Sequence, residues 1–117
     1  MLGQSRMIIF CAAAVWPGIA MAQMAPMSAP SSPADQSFAG GMSDMYHAMA
    51  AAAMTGNADQ DFVAMMLPHH QGAVAMAKTE LQYGKDPQLR KLARDIVAAQ
   101  EKEIAQMQAW QAKHPAK

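Results

Sequence analysis

This chain has little of what most enzymes and nucleic-acid-binding proteins depend on. Its 117 residues include one cysteine, Cys11, 6% aromatic residues and 15% charged side chains, with nine Lys/Arg balanced by nine Asp/Glu. One cysteine near the N-terminus excludes a disulfide framework within the chain and any metal cluster built on several thiolates. Balanced charge without a basic stripe disfavours a nucleic-acid partner. The serines lie in or beside the N-terminal leader, so a hydrolase triad lacks a credible nucleophile. No Glu-x-x-His pair is present for a di-iron bundle enzyme, and no Cys-x-x-Cys-His for covalent haem. Non-covalent haem held by one His and one Met would leave the remaining methionines unexplained. The sequence gives no sign of an enzyme.

What the chain does have is 13 methionines and four histidines. The densest group reads Met65-Met66-Leu67-Pro68-His69-His70, with Met76 further along. Thioether and imidazole together, without thiolate, suit copper(I) or silver(I), and His-rich subsets admit copper(II). A neutral imidazole is the ligand, so binding should weaken as pH falls below histidine's usual value of about 6.5.

The first 22 residues carry Arg6, an apolar run from Met7 to Trp16, a Pro17-Gly18 break and small residues flanking Met21. This is the pattern of a secretory signal cleaved after Ala22, too short to span a membrane. Phe10 before Cys11 argues against a lipoprotein anchor. The expected mature chain is periplasmic or secreted, thiol-free, and without a membrane span. Its roughly 95 residues make one small domain with a marginal core, which self-association or bound metal would help to stabilise.

Residues 23–41 are rich in Met, Ala, Pro and Ser, with Gly40-Gly41 at their end, and read as a flexible leader. Residues 42–117 read as the helical metal-binding domain. No segment alternates as a half-buried strand does, and helices are expected at about 42–55, 59–83 and 87–113. The first is expected to stop at Thr55-Gly56-Asn57, the second to start at Asp59 or Asp61, and Asp86-Pro87 to cap the third. The expected fold is all-α, an antiparallel helical hairpin plus a shorter N-terminal helix, with packing of the ferritin-like or four-helix-bundle type that a second copy could complete. Pro68 predicts a kink, either a tolerated bend or one that re-aims His69 and His70.

At 100° per residue, Phe62, Met66, Ala73, Val74, Ala77 and Leu81 share one face of the second helix, with His70 near its middle. His69, Met65 and Met76 flank that face. Leu89, Leu92, Ala93, Ile96, Met107 and Trp110 form the face of the third helix, interrupted by Gln100 and Glu103. Folding the hairpin about residues 84–87 sets Leu81 opposite Arg90 and brings His70 within a turn of Gln100 or Glu103. Such groups satisfy one another or a metal, and either residue could hold the far nitrogen of a ligating histidine. A His–Glu pair can equally well do no more than pin the hairpin register. Met65 with His69, and Met66 with His70, are i,i+4 pairs able to clamp an ion. On the first helix Met42, Met45 and Met49 share one side, whereas His47 points nearly opposite, toward the side of Met54. Methionine stripes are more often packing than ligand, but this helix is otherwise alanine-rich. The competing reading is a metal-independent envelope protein, chaperone-like, with a Met-rich surface for apolar partners.

The stretch Phe62–Ala77, FVAMMLPHHQGAVAMA, with Tyr83–Pro87 and Ala98–Ile104, resembles the signature of the small exported helical proteins of domain-of-unknown-function family 305. The motifs cover Asp59–His114. The resemblance to the CopM-like members implies an exported helical bundle that binds copper, and sometimes silver, through Met and His. By position it implies ligands at Met65, Met66, His69, His70 and Met76, and further ones among Met42, Met45, His47, Met49 and Met54. Such members can hold two helical units and this chain holds one, so a homodimer is the natural substitute. The remaining expected partner is a periplasmic copper-handling protein.

Overall fold

Ser32 opens the first helix with a reciprocal cap. Its hydroxyl accepts from the Asp35 amide at 3.1 Å, while the Asp35 carboxylate accepts from the Ser32 amide at 3.0 Å. Pro33 at the first helical position has no N–H to leave unsatisfied. The computed structural model describes residues 32–115, which fold into α1 (Pro33–Ala51), α2 (Ala58–Tyr83) and α3 (Pro87–Lys113), with no strand among them. The expected signal segment and residues 23–31 of the expected leader lie outside the described residues.

Residues 33–41 are helical, which corrects the flexible leader over that part of its span. The cap at Ser32 sets the start, and Gly41 is accommodated because α1 comes close to α2 there: a Cβ on Gly41 would lie 3.3 Å from that of Ala75. The other end is corrected too. α1 stops at Ala51, with the Ala52 amide bonded to the Met49 carbonyl at 3.2 Å, so Met54 lies in the following loop. Gly56, at φ 80°, serves that loop instead of ending the helix.

Asn57 is the N-cap of α2, in place of the expected Asp59 or Asp61. Its side-chain oxygen accepts from the amides of Asp59 and Gln60. Asp61 ties the loop to the helix by accepting from the amide and hydroxyl of Thr55 and the amide of Gly56. These bonds, the Thr55 amide foremost, hold its carboxyl below the ordinary 3.8. α2 then runs unbroken through Pro68, whose ring is buried.

Asp86 caps α3, accepting at 2.9 Å from the amides of both Gln88 and Leu89. Arg90 reaches back across the turn to donate to the carbonyls of Leu81 at 2.6 Å and Gly84 at 3.0 Å, closing the end of α2. At the open end of the hairpin Gln60 donates to the His114 carbonyl at 2.8 Å, and Trp110 stacks on the His114 ring.

α2 is the central helix. It packs on α1 and on α3, which do not pack on each other. The buried apolar side chains are therefore few and small: Val63, Val74, Ala77 and Ala93. The face expected to be core is only partly covered, since Phe62, Leu89 and Leu92 are 59, 52 and 53% exposed. α1 packs on a different side of α2 and reaches this face only at its edge, where Phe38 lines a groove with Leu89 and Leu92. No described helix is long and apolar enough to cross a membrane.

Candidate metal centre

The α1–α2 packing is antiparallel and its register is fixed at three successive turns. The Ser37 hydroxyl bonds that of Thr79 at 2.8 Å, Gly41 faces Ala75, and Met45 lies on Gly72. At the last level a Cβ on residue 72 would be 2.6 Å from the Met45 Sδ and 2.9 Å from its Cβ. The bare glycine is what lets the Met45 side chain lie against α2.

This register brings two stripes together. On α1, Phe38, Met42, Met45 and Met49 follow i, i+4, i+7, i+11 and are all half-buried. On α2, Met65, His69, Gly72 and Met76 follow the same spacing in the opposite direction. One turn beyond Met45/Gly72, Met49 reaches the level of His69, with Met65 a turn away. One turn the other way, Met42 reaches the level of Met76, which lines one groove with Phe38. Of the ten expected ligands, Met45 sits at the α1–α2 contact, Met42 and Met49 lie beside it on α1, and Met65, His69 and Met76 run along the flank of α2 next to it, at matching helical levels.

The other four are elsewhere. His47 is exposed on the outer side of α1, where its Nδ1 bonds the Ser43 carbonyl at 2.8 Å. Met54 is 59% exposed in the loop. Met66 and His70 belong to the α3-facing side of α2. Although Met66 and His70 are spaced as a sulfur–nitrogen clamp, the His70 Nδ1 bonds the Met66 carbonyl at 2.9 Å, and its Nε2 meets the Glu103 carboxylate at 2.7 Å. Both partners are acceptors: a neutral ring donates to one of them and an imidazolium to both. A metal reaching His70 would have to displace Glu103. Of the two expected supporting residues, Glu103 holds His70, while the Gln100 Oε1 is buried without a hydrogen-bond partner.

His69 differs in every respect. It is exposed, and among the described residues its ring meets only that of His70, in an edge-on contact at 6.1 Å, with no hydrogen bond to either nitrogen. A ligand needs this kind of free lone pair. Among the described residues no three His, Cys, Asp or Glu side chains gather as a metal-holding group. The donor set of the seam is one imidazole with thioethers, which suits a soft monovalent ion better than zinc or a hard cation.

Sequence reasoning missed Gly72 as the seat of Met45, and Phe38 as part of the α1 stripe. The signal was present in the shared i, i+4, i+7, i+11 spacing of 38–49 and 65–76.

Compared with known proteins, the chain is 39% identical over 49 residues to "Uncharacterized protein L153" of Acanthamoeba polyphaga mimivirus. That match takes in 42% of this chain and 32% of the viral protein, so the chain spans about a third of its relative's length. The family match begins well before the Asp59–His114 span of the motifs and ends within it. Residues 14–111 match the family described as "Domain of unknown function (DUF305)", and the chain belongs to that family.

Proposed function

We propose that this protein binds copper, Cu(I) foremost, after export to the periplasm or exterior, and sequesters it or passes it to a partner without catalytic turnover. The observation that supports this most is the seating of Met45 on Gly72, with Met42 and Met49 on α1 and Met65, His69 and Met76 on α2 equally spaced along the flanks of that contact. Thioether sulfur and a free imidazole are soft to borderline donors. They hold Cu(I) or Ag(I), and the imidazole also admits Cu(II). In this reading His69 and the seam methionines are the ligands, while His70 and Glu103 fix the hairpin behind them. A homodimer and an envelope copper-handling protein are the partners the reading admits.

The test is an anaerobic titration with Cu(I) in competition with a chromophoric chelator, with bound mass followed in parallel. The expected result is that the protein withdraws at least one ion per chain. Replacing Met45, Met49 and Met65 by leucine, which keeps volume, should weaken binding about a hundredfold or more, on the scale of 1.4 kcal/mol per tenfold change. Wild-type binding that leaves the chelator fully loaded would overturn the proposal. A second reading, metal-independent capture of apolar partners, draws on the exposure of Phe62, Leu89 and Leu92. The same titration separates the two.

A further inference from the structure

The two sides of the α2–α3 hairpin are unlike. One is bridged by Lys78 and Glu101 at 3.7 Å, as an ordinary solvated surface would be. The other exposes Phe62, Met76, Leu89 and Leu92 at 59, 37, 52 and 53%. Half-buried Ile96 and Trp110 continue that side, and two apolar grooves lie along it, one toward the turn, edged by Phe38 of α1, and one toward the open end. From Leu89 to Trp110 the face extends roughly 32 Å at 1.5 Å per residue, nearly the full length of α3.

We propose that this face binds a second copy of the chain, whose own α2–α3 hairpin supplies the other two helices of a four-helix core. Two features select that occupant. The first is length: a short peptide or small ligand would fill one groove and leave the rest bare, whereas an identical hairpin matches the face from end to end. The second is area: at ~200 Å² for a large apolar side chain, the observed exposures leave roughly 400 Å² of apolar surface on each copy before the half-buried Ile96 and Trp110 are added. Two such faces with their polar rims together reach roughly 1,000 Å², the least that a specific interface must clear. The contact is isologous, each face meeting its own copy. It does not rest on copper binding: the face adjoins the α1–α2 seam and shares Met76 with it, but Phe62, Leu89, Leu92, Ile96 and Trp110, which make up the rest of it, are not among the proposed ligands.

The test is sedimentation of the protein expressed from its full sequence, from about 1 to 200 µM, in the presence of a copper chelator so that association and metal binding are read separately. The expected result is a mass of two chains at the upper concentrations. A Leu89→Glu/Leu92→Glu variant should sediment as one chain with its helical circular dichroism retained, and Tyr46→Glu, on the exposed side of α1, should leave the mass at two chains. One chain at every concentration, or two chains in the Leu89→Glu/Leu92→Glu variant, would overturn the proposal. Should that variant not fold, the wild-type melting temperature decides: it rises with protein concentration if the faces pair, and a concentration-independent value sinks the idea.

Discussion

His69 and His70 are adjacent in sequence and opposite in circumstance. His70 lies on the hairpin side of α2, nine-tenths buried, with one nitrogen on a backbone carbonyl and the other on Glu103. His69 lies a hundred degrees round the helix, in water, beside the methionine seam with α1. The hairpin thus satisfies His70 internally, whereas the flank of the seam leaves His69 and its neighbouring thioethers open. A motif with two histidines supplies one structural residue and one available ligand, and the helical step between them separates the roles.

The sharpest way to break that comparison is to exchange the two. His69→Ala should weaken Cu(I) binding about tenfold or more, on the scale of 1.4 kcal/mol per tenfold change, and leave the melting temperature near wild type. His70→Ala should do the reverse, keeping copper affinity while costing about 1–3 kcal/mol of stability, because it removes a buried side chain and its two hydrogen bonds. Competition titration and denaturant unfolding read both. If His70→Ala lost copper and His69→Ala did not, the assignment would be inverted.

A second test addresses the seam itself. Gly72→Ala places a Cβ within 3 Å of three Met45 atoms, one of them the Met45 Cβ, which cannot rotate away. The expected cost is about 1–3 kcal/mol from overpacking, with weakened copper binding, since α1 must shift off α2. A fully stable Gly72→Ala variant that binds copper normally would show that the two stripes need not meet.

A milder test uses residues off the seam. His47→Ala and Met54→Leu change exposed groups, and both stability and copper affinity should stay within about 0.5 kcal/mol of wild type. Loss of an ion from either variant, measured by bound mass, would place a site on the outer surface of α1.

The smallest effect concerns Asp61. Its carboxyl is lowered in the folded state by the Thr55 and Gly56 donors, so the stability it adds is present above the ordinary 3.8 and lost as pH falls through the lower folded value. Asp61→Asn should therefore lower the melting temperature slightly at neutral pH and leave it near wild type well below about pH 4, which flattens the acid limb. An unchanged acid limb would show that the loop does not depend on this charge.

The hairpin was largely legible in the residues. Asp86-Pro87 marked the start of α3, and folding about residues 84–87 paired Leu81 with Arg90 and put Glu103 in reach of His70, as observed. These are local or nearly local facts, because a short turn leaves two long helices a single register. The α1 seam was much less legible. The cap at Ser32 was written in the chain, but a Pro/Ser/Ala-rich stretch with two glycines hid it. The side of α2 that α1 would take was not written in either helix alone, since α2 has apolar positions on more than one side.

The sequence by itself determined that the described protein is helical, that α3 begins at the Asp86 cap, that its soft donors are thioether and imidazole, and which residues share a helical face. Those follow from propensity, capping and a fixed 100° step. Only the tertiary structure decided which face meets which. It set Met45 on Gly72, aligned the two methionine stripes, turned His70 inward to Glu103 and left Phe62, Leu89 and Leu92 uncovered. The physical reason is that a helix fixes the direction of every side chain relative to its own axis. Rotation and register between helices come from close packing, here the Ser37–Thr79, Gly41–Ala75 and Met45–Gly72 contacts together.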